Sequence, residues 1–109
     1  MNTRGMLVEL IVPEAAQEID RRGGKLEALS GEVKAKHISG VTPDSLVAKA
    51  LGESTIAAIA RQPVNNFVKK AITGVPSDQR ADVEAQARLV WNRAKRFEEL
   101  TAGPRKMAE

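Results

Sequence analysis

Val83, Ala87, Val90, Ala94 and Phe97 recur at steps of four, three, four and three residues. An α-helix brings these positions to one side, forming a heptad-like stripe that Trp91 and Leu100 broaden. Ser77 stands where a side chain can cap the first turn, and Asp78 and Asp82 lie near the positive end of the helix dipole. Gly103 and Pro104 stop the pattern. The spacing predicts one long helix over 78–101, followed by a frayed tail at 103–109.

Upstream, the chain is punctuated at short intervals. Thr42, Pro43 and Asp44 suit the opening of a helix over 43–51, in which Leu46, Val47, Ala50 and Leu51 face inward and Gly52 closes the last turn. Ser54 can cap a second helix over 54–61, with Ile56, Ile59 and Ala60 on its apolar side. Pro63 ends that helix or begins the next, 63–73, which Gly74 and Pro76 stop. Nearer the N-terminus, Pro13 suits the first turn of a helix that runs to Arg22 and ends at Gly23 and Gly24. A helix at 25–30 places Leu26 and Leu29 on one face, with Val33 beyond them. Two segments stay open: Met6–Val12 reads as a short strand or an extended lead-in, and 33–38 reads as helix or strand because "VKAKH" alternates in period two. The expected architecture is a mostly α domain of five to six helices over 1–102, with a helix-turn-helix at 54–73 and a long C-terminal helix.

Composition narrows the functions. Hydrophobic residues make up 42% of the chain, enough for a core, but aromatics are 3%, limited to Phe67, Trp91 and Phe97. Small aliphatic contacts must carry the packing. With no cysteine, disulfides, thiolate metal sites and cysteine nucleophiles are excluded, and a reducing, cytoplasmic compartment is expected. The apolar run Met6–Val12, interrupted by Glu9, is too short for a secretion-signal core, and no stretch approaches the ~18 apolar residues of a membrane span. His37 is the sole histidine and sits in "KAKHIS" with no carboxylate beside it in the sequence. "RRGGK" at 21–25 lacks the strand–loop–helix context of a phosphate loop and reads as a glycine helix stop. Glu98 and Glu99 read as solvated helix charges. No catalytic residue, metal ligand or cofactor is expected, and no enzyme.

Charge is more informative. Residues 1–60 carry seven basic and eight acidic side chains, whereas 61–109 carry ten basic and six acidic. Within 61–96 the balance is eight to three. A polyanion is attracted to such a half. In "RQPVNNFVKKAITG", residues 61–74, Val64, Phe67, Val68, Ala71 and Ile72 take the spacing of one buried helix face, while Asn65, Asn66, Lys69 and Lys70 lie opposite. Ala57, Ala58 and Ala60 in the helix before it are small enough for a close crossing. This is the layout of a helix-turn-helix, whose second helix enters the major groove. Asn65 and Asn66 carry the paired donor and acceptor that match adenine, and Lys69 and Lys70 reach guanine or phosphate. Arg61 and Gln62 at the turn, with Arg80 and Arg88 on the long helix, are candidates for backbone contacts.

The stretch "ESTIAAIARQPVNNFVKKAITGVPSDQRADVEAQARLVW", residues 53–91, resembles the DNA-binding headpiece of LacI-type repressors. Ala58 matches the small residue of that family's first helix, Val68 the buried valine of its second, and Gly74 the small residue after it. "PSDQRADVEAQA" is similar to the start of the third helix. The resemblance implies that Pro63–Asn66 open a recognition helix and supply base contacts. This chain departs at the turn, where Gln62 replaces the usual Gly and Pro63 and Val64 replace the usual Val and Ser.

The expected function is therefore a small double-stranded-DNA-binding protein, a transcriptional regulator from a mobile element, acting as a homodimer. Val83, Val90, Trp91, Ala94 and Phe97 on helix 78–101 are the candidate partner interface. The alternative is a helical interaction or assembly protein that touches no nucleic acid: an adaptor, an antitoxin-like partner or a phage component docking through the same stripe.

Overall fold

The computed structural model describes residues 3–102, so the tail expected at 103–109 lies outside the described residues. Within them, six α-helices follow in order: α1 (Thr3–Ile11), α2 (Ala15–Arg21), α3 (Leu46–Leu51), α4 (Ile56–Ala60), α5 (Val64–Ile72) and α6 (Ser77–Leu100). Two 3₁₀ turns, Leu29–Gly31 and Ala35–His37, lie between α2 and α3. The domain is mostly α, as its sequence pattern implies.

The apolar stripe of α6 is the spine of the molecule. Val83, Ala87, Val90, Ala94, Phe97 and Leu100 are all buried. Both α4 and α5 pack chiefly on α6, and α1, α3 and the Leu29–Gly31 turn also touch it. One continuous core results, joining Phe97 to Val8, Val12, Leu29, Ile38, Leu51, Ile56 and Ile59. Phe97 is fully enclosed, which contributes on the order of 3 kcal/mol. The α6 helix ends at Thr101, whose hydroxyl donates to the Phe97 carbonyl at 2.9 Å, two residues before the expected glycine stop.

Helix ends follow local chemistry, with several starts shifted from expectation. Ser45 caps α3, its hydroxyl oxygen accepting from the Ala48 N–H at 3.0 Å. Thr42 does not take that place, because Asp44 adopts φ 68° and turns the chain before the helix begins. Ala50 faces solvent instead of the core. Thr55, not Ser54, caps α4 by accepting from the Ala58 N–H at 3.2 Å. Pro63 and Pro76 stand at the cap positions of α5 and α6, so Ser77 is the first helical residue and caps nothing. Gly23 and Gly24 do end α2: with φ of 68° and 88° they send their N–H groups back to Asp20 and Ile19, a Schellman closure.

The N-terminal part holds the larger departures. Met6–Val12 is neither strand nor lead-in; most of it lies in α1, which turns Val8 inward and leaves Leu10 71% exposed. Val8 and Val12 are four apart, so a helix turn buries both, whereas hydrophobicity alone does not choose between periods. The helix expected at 25–30 is replaced by turns through Ala28, at φ 67°, into the Leu29–Gly31 3₁₀ turn. Gly31 and the left-handed Ala28 interrupt the ladder, while Leu26 and Leu29 still reach the core. Segment 33–38 takes a little of both forms. Lys34 forms an isolated antiparallel bridge with Thr55, then Ala35–His37 curls into a 3₁₀ turn. Among the described residues there is no strand, and no helix is long and apolar enough to cross a membrane.

Candidate nucleic-acid interface

The inward and outward faces of α5 divide as its spacing demands. Phe67, Val68 and Ala71 are buried, Val64 and Ile72 are half-buried, and Asn65, Asn66, Lys69 and Lys70 are exposed. These four fall at i, i+1, i+4 and i+5, on one side of the helix. Asn65, Asn66 and Lys69 make no side-chain hydrogen bond or ion pair with the described residues. From Ser54 to Ser77 the chain carries Arg61, Lys69 and Lys70 and no carboxylate.

The start of α5 is pinned. The Trp91 indole N–H donates to the Gln62 carbonyl at 2.8 Å. The Gln62 side chain donates to the Ala58 carbonyl at 3.3 Å, and its oxygen accepts from Lys70 Nζ at 3.5 Å. Gln62 is therefore half-buried and engaged in the turn through its own side chain. The turn needs no glycine: among the described non-glycine residues only Ala28 and Asp44 have positive φ. Beside it, Arg61 Nε donates to Glu98 Oε2 at 3.0 Å.

The far end of α5 is held by α6 as well. Gly74, at φ 78°, makes the reversal, and Arg80 Nη2 donates to the Val75 carbonyl at 3.1 Å. Trp91 thus marks one end of α5 and Arg80 the other, so α5 lies alongside residues 80–91 of α6. Arg88 is exposed and paired within α6 to Glu84 at 3.3 Å. The structure brings Arg61, Asn65, Asn66, Lys69, Lys70 and Arg80 onto or beside α5, and ties Arg88 to its own helix.

The partner stripe is corrected. Val83, Val90, Ala94 and Phe97 are 6% exposed or less, enclosed by the chain's own helices, and Trp91 is half-buried against the α4–α5 turn. A heptad-like stripe reports burial without saying against what, and here α4, α5 and α1 cover it. These side chains are not a surface on which a second copy can dock. The close crossing of α4 and α5 is likewise modest: Ala57 and Ala60 are buried and Ala58 is exposed, and each helix leans on α6 more than on the other.

A second charged region has no signal in the sequence. Glu14, Glu18, Arg21, Glu32, Lys34, Lys36 and His37 line an open cleft of about 500 Å³ between α2 and the chain from Glu32 to His37. His37 Nδ1 lies 3.0 Å from Glu14 Oε2, a carboxylate remote in sequence. Arg22 pairs with Glu18 and Glu32, and Lys34 and Lys36 both bind Glu53. The hydrogen bond from Lys34, then that from Lys36, holds the Glu53 carboxyl down to about 2. Anion and cation alternate around this cleft and neutralise each other. Among the described residues, no group of three His, Cys, Asp or Glu side chains converges to hold a metal ion. No protein-family model matches the chain, and neither curated proteins nor solved structures give a match.

Proposed function

We propose that this chain binds double-stranded DNA by laying α5 in the major groove, as a small regulator working in a reducing, cytoplasmic setting. Asn65, Asn66 and Lys69 face base edges, and Lys70 and Arg80 meet phosphates, with Arg88 further along α6 as an outlying contact. The observation that carries this reading is the outer face of α5: two amides and two ammonium groups, on a helix whose inner face and both ends are fixed to α6. Amides carried on a fixed helix backbone suit adenine edges, and lysines suit guanine or phosphate. The neighbouring sequence contributes no carboxylate to repel the backbone.

The resemblance of residues 53–91 to repressor headpieces supports the same docking mode. The competing reading, docking of another protein along helix 78–101, would have to use side chains other than Val83, Val90, Ala94 and Phe97, which the core encloses. Titration of a labelled mixed-sequence duplex, followed by anisotropy at ~50 and ~200 mM salt, tests the proposal. Roughly three phosphate contacts predict a roughly forty-fold loss of affinity across that range. Absence of binding at the lower salt contradicts it. Asn66→Ala is expected to change sequence preference, and Lys70→Ala to weaken all duplexes alike and flatten the salt slope by about one.

A further inference from the structure

Arg61 and Glu98 are mismatched in freedom. The Arg61 side chain is 74% exposed, whereas that of Glu98 is 20% exposed, set in the flank of α6 beside the α4–α5 turn. Their contact is a single bond from Nε at 3.0 Å, so the acid is the fixed member and the guanidinium the movable one. Arg61 stands three residues before the start of α5, beside the Gln62 carbonyl held by Trp91. A phosphate reaching this turn and the Glu98 carboxylate therefore compete for one cation.

Resting on the DNA-binding reading, we infer that Glu98 is a built-in brake on α5: it holds Arg61 away from phosphate on non-cognate duplexes. Non-specific affinity is nearly all phosphate contact, so withholding one cation lowers it without touching the base-reading side chains. On a duplex that seats α5 fully, the phosphate replaces the carboxylate and Arg61 joins the interface. A single bond whose cation is mostly exposed is weak enough to exchange in this way, and its strength sets a brake of roughly two- to five-fold. Glu98 touches no base in this scheme. It acts only through Arg61.

The test is a double-mutant cycle on the full chain, using a mixed-sequence twenty-base-pair duplex and anisotropy at several salt concentrations. Glu98→Gln is expected to tighten binding roughly two- to five-fold and to steepen the salt slope by about 0.9, the value of one added phosphate contact. In an Arg61→Ala background the same change is expected to do nothing. Equal tightening in both backgrounds means simple repulsion by a nearby acid and overturns the inference; so does no tightening in either. Glu98→Ala, checked by circular dichroism together with Glu98→Gln, guards against an effect of folding. Wild-type chain that fails to bind at ~50 mM salt defeats the DNA reading itself, and the brake with it. Wild-type binding with a flat cycle defeats the brake alone.

Discussion

The cleft between α2 and Glu32–His37 and the outer face of α5 are both polar surfaces, yet they are built in opposite ways. In the cleft and at its rim, cations and carboxylates meet: Arg22 with Glu18 and Glu32, Lys34 and Lys36 with Glu53, His37 with Glu14. On α5, Asn65, Asn66 and Lys69 have no such partner among the described residues, and the backbone beneath them is tied down at both ends. Charges that pair with each other fasten loops that lack helical ladders. Groups left open on a rigid helix are available to something else.

The contrast can be broken most severely through the core that both regions share. Phe97→Ala is expected to cost about 3–5 kcal/mol, read by urea unfolding, and to loosen both regions in one transition because one core runs beneath them. Separate transitions for the two regions would show that they do not share it. Trp91→Phe keeps most of the ring volume but leaves the Gln62 carbonyl without its indole donor. That change is expected to cost about 1–2 kcal/mol and to speed hydrogen exchange at the start of α5 while leaving the cleft unchanged.

Smaller effects sharpen the account of the N-terminal part. Ala28→Gly relieves a left-handed residue at φ 67° and is expected to stabilise by about 0.5–1 kcal/mol, seen as a rise in Tm. A fall in Tm would mean that the freedom glycine adds to the unfolded chain outweighs the strain relieved at this exposed position. The smallest effect concerns Glu53. Its folded-state value of about 2 lies below the ordinary glutamate value of 4.5, so its contribution is present above 4.5 and is lost as pH falls toward 2. Glu53→Gln should remove that part of the acid loss, and solvent screening of so exposed a carboxylate keeps the change slight. Denaturant melts between pH 5 and 2 measure it.

How much of this was legible beforehand depended on whether a signal was local. The stripe Val83–Phe97 and the faces of α5 could be read because helical period and burial coincide there. Gly23 and Gly24 could be read because left-handed closure is a property of the residue itself. Met6–Val12 could not, since valines four apart bury equally well under a helical turn, and a short apolar run carries no period of its own. The cleft was hidden for another reason: His37 and Glu14 become neighbours only after α2 folds against the 3₁₀ segment. The same limit misdirected the reading of Val83, Val90, Ala94 and Phe97 as a partner surface. Periodicity shows that a face is covered and not what covers it. Gln62 is the reverse case, a polar side chain read as a backbone contact to DNA that the fold also bonds to Ala58 and Lys70.

Amide chemical-shift mapping of the chain with a mixed-sequence duplex at low salt tests the central contrast most directly. Asn65, Asn66, Lys69 and Lys70 are expected to shift as DNA is added, with smaller changes at Arg61 and Arg80 and none from Glu14 to His37. Shifts centred on the cleft, or none anywhere at concentrations where a control DNA-binding domain is saturated, would contradict it.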